Sequence, residues 1–155
     1  MRQIQIVNNE IYHIYNRGTT KMNIFLSHAD YIRFINKIYF YKEKYMIDIL
    51  VFCLMPNHFH LLLRANNIFS NIPMFMKDLQ CSHAKYFNTL YAQSGHVFQS
   101  PYKNKIVATD SQLSAVVRYI LENPIRKKLV TRIKDWKYSD IIERKALIDL
   151  GVMEF

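Results

Sequence analysis

The stretch Leu50–Arg64 reads LVFCLMPNHFHLLLR and contains two apolar runs separated by Pro56-Asn57. Proline followed by asparagine is typical of a tight turn, so the two runs are predicted to form a β-hairpin. Side chains alternate between the two faces of a strand, which places His58 and His60 on the same face. The stretch therefore predicts a strand that presents two imidazoles side by side.

This pair of histidines has two explanations. Two imidazoles roughly 6–7 Å apart on one rigid strand are well placed to bind a single metal ion. Alternatively, both are half-buried polar residues of an ordinary sheet face. Desolvating two imidazoles at the start of a leucine run is costly without a shared task, so we favour the metal site.

The remaining sequence alternates between strand and helix patterns. Strands are predicted at 11–16, 48–55, 58–63 and 103–108, with an amphipathic helix after the first strand and another after the third. Ser27 or Asp30 can cap the first helix, and Asn71 can cap the second. The order βαββαβ, followed by two more helices, predicts an α+β fold. This fold is a ferredoxin-like antiparallel sheet with helices on one face and additional C-terminal helices.

The C-terminal part is predicted to hold two helices. Thr109 or Asp110 caps the first of them, and it is expected to end at Asn123-Pro124, because a residue before proline is disfavoured in the helical region. Ser139 or Asp140 is expected to open the last helix. The chain fits a single domain over residues 1–155, with a core at about 11–123 and a basic, helical extension at 124–155.

Composition narrows the class of protein. The chain has 21 Lys and Arg against 12 Asp and Glu, a net charge of +9, and its residues are 14% aromatic. A basic surface attracts polyanions and exposed rings can stack on unpaired bases, which favours nucleic acid as partner. Three scattered glycines make no phosphate-binding loop, so no nucleotide cofactor is expected. Isolated cysteines, the absence of a signal peptide and the absence of a membrane-length apolar run predict a cytoplasmic protein without membrane association.

A second group of candidate residues lies on the helix predicted at 112–122. Tyr119 is about 130° from the centre of its apolar stripe, and Asn123 follows one turn later on the same strip. If this helix packs against the hairpin, both residues can point at the histidine pair. A metal there would polarise a phosphate, and a tyrosine would be a competent nucleophile. Spacing alone does not select Tyr119 from the eleven tyrosines, and a surface position is the default for a helix tyrosine.

Several motifs, taken together and in order, resemble the REP-associated tyrosine transposases of the HUH single-tyrosine superfamily. They are YHIYNRG at 12–18, CLMPNHFHLLL at 53–63, KYFN at 85–88, SGHVFQSPYKNKIV at 94–107, VRYILENPIRKKLV at 117–130 and DWKYSD at 135–140. The resemblance implies that His58 and His60 bind Mg²⁺ or Mn²⁺, with Asn123 as third ligand, and that Tyr119 is the nucleophile.

The implied reaction is cleavage of single-stranded DNA near short palindromic hairpins, by a monomer or a homodimer and without ATP. Tyrosine becomes linked to the 5′-phosphate, a 3′-hydroxyl is released, and rejoining reverses the step. The chain departs from the family at two places. Relatives commonly have Ala-Gly at Lys127-Lys128, and members from insertion sequences more often have glutamine at Asn123.

DNA contacts are predicted from the basic stretch that follows this helix and from nearby aromatic residues. The candidates for phosphate contacts are Arg126, Lys127, Lys128 and Arg132, and Phe98 and Tyr102 are available either to stack on bases or to fill the core. His13 is interpreted as a satisfied strand histidine. Two alternatives to the transposase remain: a catalytically inactive hairpin-binding protein derived from a transposase, and a metal-dependent phosphoesterase with a water nucleophile.

Overall fold

The computed structural model describes residues 9–152. In this part of the chain, five strands form one antiparallel sheet in the order β4-β1-β3-β2-β5. The strands are β1 (Ile11–Arg17), β2 (Asp48–Met55), β3 (His58–Arg64), β4 (Lys103–Val107) and β5 (Ser139–Ile141). The helices are α1 (His28–Lys44), α2 (Ile72–Leu90), α3 (Asp110–Arg126) and α4 (Arg144–Asp149). The predicted ferredoxin-like α+β fold is confirmed.

The hairpin of β2 and β3 forms as predicted, with Met55 paired to His58 across the two-residue turn. Phe59 and Leu61 belong to the core beneath α1 and α2. Leu62 belongs to the core on the other face of the sheet, where α3 and α4 pack. Because side chains alternate along β3, His58 and His60 lie on the α3 face.

The first face of the sheet is covered by α1 and α2, whose starts follow from the sequence. The Ser27 side chain caps α1 while the Asp30 side chain accepts from the Ser27 backbone N–H, a capping box. Asn71 caps α2, with Pro73 in its first turn. Asp30 also accepts hydrogen bonds from the hydroxyls of Tyr86 and Tyr91 on and after α2, which ties the two helices together.

The turn after β1 is packed tightly against the hairpin. The Gly18 N–H donates to the Asn57 carbonyl at 2.9 Å. A Cβ at Gly18 would lie 2.1 Å from the Met22 carbonyl oxygen, so only glycine fits. This close packing brings Lys21 beside the start of β3, where it lines the cleft described below.

Helix α3 does not end where the sequence predicts. It continues through Asn123 and Pro124 to Arg126. The missing proline N–H costs one helical hydrogen bond, but Pro124 lies so near the end that the Lys127 N–H still closes on the Asn123 carbonyl at 3.0 Å. The longer helix keeps Asn123 in helical geometry and adds a turn that carries Arg126.

The segment predicted to open the last helix is a strand instead. Ser139 and Asp140 lie in β5, which pairs with the outer edge of β2, and α4 begins only at Arg144. The edge of β2 would otherwise present unpaired N–H and C=O groups, and this pairing satisfies them. Part of the predicted C-terminal extension therefore completes the sheet.

Among residues 9–152, no helix combines the length and the apolar character needed to cross a lipid bilayer.

Candidate active site

A cleft of about 480 Å³ opens where the ends of β1 and β3 meet α3. Four parts of the chain contribute side chains to it: β1 with the turn that follows, the hairpin, the segment 99–103 that leads into β4, and the end of α3. The lining residues are Tyr15, Asn16, Arg17, Lys21, Asn57, His58, His60, Gln99, Ser100, Lys103, Tyr119, Asn123 and Lys127. The cleft thus holds both histidines, the tyrosine and the amide that the sequence singled out.

Asn123 joins the two histidines. Its side chain is only 4% exposed, and its Nδ2 lies 3.1 Å from His60 Nε2 while its Oδ1 lies 3.3 Å from His58 Nε2. The two imidazole rings are perpendicular, with centroids 5.1 Å apart. The Nε2 atoms of both rings therefore converge on one amide group.

The hydrogen bonds at the other ring nitrogens decide which atoms carry lone pairs. His58 Nδ1 lies 2.7 Å from Asn57 Oδ1, an acceptor, so Nδ1 is the donor and Nε2 of the neutral ring carries a lone pair. This lone pair faces Asn123 Oδ1, and two electron-rich atoms at 3.3 Å repel each other without a cation between them. Two ligands bound cis to Mg²⁺ at ~2.1 Å lie about 3 Å apart, so the spacing of His58 Nε2 and Asn123 Oδ1 fits a divalent cation.

Burial keeps the histidines neutral. Desolvation lowers the pKa of His58, and the nearby cations Lys127 and Arg17 lower it further, although the contact with Asn123 opposes the shift. The pKa of His60 lies well below its usual value, first because of burial and then because of His13 and His58. Neutral imidazole is the form that binds a metal.

The two histidines alone offer only two donor atoms to a cation. In the part of the chain that the structure describes, no group of three or more His, Cys, Asp or Glu side chains is arranged to hold a metal ion. The nearby Asn123 Oδ1, 3.3 Å from His58 Nε2, is an oxygen donor beside these two nitrogens. Such a set leaves coordination positions open for water or for a phosphate oxygen.

Tyr119 lies at the mouth of the cleft, one turn before Asn123. Its side chain is 46% exposed, and its ring centroid is 5.6 Å from that of His60. The guanidinium carbon of Arg126 lies 4.3 Å from the ring centroid, and the same guanidinium donates to the Tyr119 carbonyl. Arg126 also pairs with Glu122 at 3.7 Å. The last turn of α3 thus holds the tyrosine ring between Arg126 and the histidines.

The matching family model, described as "Transposase IS200 like", covers residues 6–123, which include the strands of the site and most of α3. The chain belongs to the IS200-like transposase family. Family membership agrees with the arrangement in the cleft, where the two histidines of β3 face the tyrosine of α3.

Individual relatives agree with this assignment. A Haemophilus influenzae protein named as a candidate REP-associated tyrosine transposase is 26% identical over 107 residues, which are 63% of this chain and 60% of the relative. The chain thus matches about three-fifths of that relative's length. The resemblance to REP-associated tyrosine transposases is confirmed.

Two solved structures share the fold. One is a REP-associated tyrosine transposase bound to a REP hairpin, with a TM-score of 0.74 and 15% identity, covering 99% of this chain and 87% of that one. The other is a candidate transposase from Deinococcus radiodurans, with a TM-score of 0.53 and 18% identity, covering 79% and 97%.

The predicted DNA-contacting residues lie in different surroundings. Lys127 lines the cleft, whereas Lys128 lines a separate depression with Ile125 and residues 129–131. Arg126 is engaged with Tyr119, and Arg132 forms an ion pair with Asp135 at 2.8 Å. The basic stretch is therefore not one continuous surface.

The two aromatic candidates pack against the core. The Phe98 ring makes edge contacts with Phe59 at 5.9 Å between centroids and lies near His83, so it packs against the core beneath α1 and α2. Tyr102 is half-buried against the same core, and burial raises its pKa. Neither lines the cleft. Of the two roles that the sequence left open for Phe98 and Tyr102, stacking on bases or packing in the core, the structure agrees with packing against the core.

Sequence reasoning missed several cleft residues. Arg17, Lys103 and Asn57 all line the cleft, and His13 contacts His60 directly. The alternation along β1 was an available signal, because His13, Tyr15 and Arg17 share one face of the strand and each carries a polar or cationic group. The pairing partners of β1 could not be read from the sequence.

Proposed function

We propose that the chain is a metal-dependent nuclease and strand transferase that cleaves and rejoins single-stranded DNA near short hairpins. One observation supports this most directly. The Nε2 atoms of His58 and His60 converge on the Asn123 amide, and Tyr119 stands one helical turn away at the mouth of the same cleft. A nucleophile beside a cation-binding set is the arrangement that phosphoryl transfer requires.

In this reaction Tyr119 is the nucleophile. Its Oη attacks a DNA phosphorus, an Oη–P bond forms, and the bond from phosphorus to the 3′-oxygen of the preceding nucleotide breaks. The tyrosine hydroxyl loses its proton and the leaving 3′-oxygen gains one, so the step is balanced. Attack of the 3′-hydroxyl on the phosphotyrosine reverses it and rejoins a strand.

His58, His60 and Asn123 would hold Mg²⁺ or Mn²⁺, and the bound ion would polarise the scissile phosphate and stabilise the charge that develops on it. The rest of the site acts through its own side chains. Asn57 orients the His58 ring, and Arg126 holds the tyrosine ring in place. The contact with Arg126 keeps the tyrosine ring close to where a phosphate would bind.

Single-stranded DNA fits the cleft by charge. Arg17, Lys21, Lys103 and Lys127 line it, and within residues 9–152 no acidic side chain is among its lining residues. Cations spread along a groove can follow a phosphate backbone. The similar fold of a REP-associated tyrosine transposase bound to a REP hairpin supports a hairpin as the element that is recognised.

A denaturing gel tests the proposal. The full chain is incubated with a fluorescently labelled single strand carrying a hairpin, with Mn²⁺ or with EDTA. We expect a covalent protein–DNA band that requires Mn²⁺ and is lost in His58→Ala and His60→Ala. The exposed His96 lies outside the cleft, so His96→Ala is the matched control and should form the band normally.

The same gel separates the alternatives. Free cleaved product without a covalent band would indicate a phosphoesterase with a water nucleophile. Intact DNA that is retarded on a native gel would indicate a hairpin-binding protein without activity. An unchanged covalent band in His60→Ala would contradict the metal site.

A further inference from the structure

His13 is the residue of this site whose role is not explained by the reaction above. It lies on β1 opposite Leu62, which makes it the diagonal neighbour of His60, while Tyr15 pairs directly with His60. A long side chain can bridge the diagonal of an antiparallel pair. His13 Nε2 lies 2.9 Å from His60 Nδ1, and the two residues are only 8% and 5% exposed.

The direction of this hydrogen bond follows from the opposite side of the His60 ring. His60 Nε2 lies 3.1 Å from the Asn123 Nδ2 amide, a donor, so His60 Nε2 is the acceptor. A neutral imidazole has one donor and one acceptor nitrogen, so His60 Nδ1 carries the hydrogen and His13 Nε2 accepts it. With Nε2 as its acceptor, the His13 ring carries its own hydrogen on Nδ1.

We propose that His13 is a positioning residue that, together with the Asn123 amide on the opposite side of the ring, fixes the tautomer and the ring rotation of His60, so that the Nε2 lone pair of His60 points toward Asn123 in the cleft. The inference rests on the proposed function, in which that lone pair binds the cation. A ring nitrogen that bears a hydrogen cannot bind a metal, so the acceptor on β1 determines whether His60 is competent.

The alternative is that His13 only fills space in the sheet. Its ring is 5.1 Å from Tyr15 and 6.1 Å from Tyr119 between centroids, so packing is part of its environment. Leucine retains much of that volume but offers no acceptor. Glutamine offers an amide group at a similar reach from the backbone. Comparing His13→Leu with His13→Gln therefore separates packing from the hydrogen bond.

The first measurement reads the tautomer without any metal. Long-range ¹H–¹⁵N spectra of the full chain, with His60 assigned by the signal lost in His60→Gln, distinguish Nδ1–H from Nε2–H. We expect Nδ1–H for His60 in the wild type and in His13→Gln, and a mixture or Nε2–H in His13→Leu. A wild-type His60 in the Nε2–H form, or an unchanged His60 signal in His13→Leu, would overturn the proposal.

The second measurement is Mn²⁺ affinity, followed by electron paramagnetic resonance of the free ion. Losing the partner of a ligating histidine typically weakens binding about 10–100-fold, and we expect that range for His13→Leu, with recovery of most of the affinity in His13→Gln. Equal affinity in all three proteins would overturn the proposal. If His13→Leu fails to fold, the proposal is still tested by the tautomer of His60 in the wild type and by the tautomer and the Mn²⁺ affinity in His13→Gln.

Failure of the proposed function has a different signature. A wild type that binds no Mn²⁺ but shows His60 as the Nδ1–H tautomer, lost in His13→Leu, would refute the metal site while supporting the role of His13 in setting the tautomer. An exposed-histidine control, His96→Gln, should leave both measurements unchanged.

Discussion

Replacing Tyr119 by phenylalanine should remove the covalent chemistry and leave the fold intact. The side chain is 46% exposed, and its ring contacts with Arg126 and His60 involve carbon atoms that phenylalanine retains. The only atom lost is Oη, which has no hydrogen-bond partner within residues 9–152. Surface changes of this kind alter the free energy of unfolding by about 0.5 kcal/mol or less.

Both effects can be measured on the same preparation. For a domain of this size, ~0.5 kcal/mol corresponds to a change in Tm of about 2 °C or less in a thermal-unfolding experiment. Covalent DNA on a denaturing gel should fall by at least about 10³-fold, because no other atom of the side chain can attack phosphorus. Mn²⁺ binding should persist, since His58, His60 and Asn123 are untouched.

Tyr15 provides the matched control, because it also lines the cleft and its ring centroid is 5.9 Å from that of His60. Tyr15→Phe should keep the covalent band. A band that survived in Tyr119→Phe and disappeared in Tyr15→Phe would refute the assignment, and mass spectrometry of the linked peptide would identify the nucleophile. A Tm lowered by more than ~5 °C in Tyr119→Phe would refute the argument from exposure.

Three further outcomes are expected. Asn123→Leu should weaken Mn²⁺ binding by at least about tenfold, as read by electron paramagnetic resonance, because its buried amide oxygen lies 3.3 Å from His58 Nε2; unchanged binding would remove Asn123 from the proposed ligand set. Lys127→Gln should reduce the steepness of the plot of log affinity for a hairpin strand against log salt by about 0.7, because one phosphate contact is lost. The control Lys85→Gln on α2 should leave the slope unchanged. Equal slopes for the two variants would indicate that the DNA does not contact Lys127. For Asp30, burial opposes ionisation, but hydrogen bonds from Tyr91, Tyr86 and the backbone prevail and lower its pKa below 3.8, so its stabilisation is present above about pH 4 and is lost as pH falls through the folded-state pKa. The free energy of unfolding at pH 7, measured by urea denaturation, should therefore be about 2 kcal/mol lower in Asp30→Asn than in the wild type. Stability should also fall less steeply in acid for Asp30→Asn, and parallel acid profiles for the two proteins would contradict the lowered pKa of Asp30.

Local sequence patterns predicted most of the elements, because their signals come from neighbours along the chain. The period-two pattern around His58 and His60 predicted the strand and that both side chains share one face, and the Pro56-Asn57 turn predicted the hairpin. Local patterns gave a wrong prediction where the structure of a segment depends on a partner distant in sequence. Ser139 resembles a helix cap, but the unpaired edge of β2 made it part of a strand.

The extent of α3 shows the same limit. Residues before proline disfavour the helical conformation, which predicted that α3 ends at Asn123. The helix packs on the sheet and continues for one more turn, to Arg126. That extra turn is what places Arg126 against Tyr119. A local preference of this kind is weak compared with the burial of a whole helical face.

By itself, the sequence determined the strand that carries His58 and His60, the helical strip shared by Tyr119 and Asn123, and the motifs that mark the family. Each of these depends on the fixed geometry of one element. Only the tertiary structure decided that the strip faces the histidines, that His13 contacts the ring of His60, and that Phe98 packs against the core. Those contacts join residues up to 65 positions apart, as in the pair His58 and Asn123. They arise from how the strands pair and from how α3 and the segment before β4 pack on the sheet, and no local pattern encodes that arrangement.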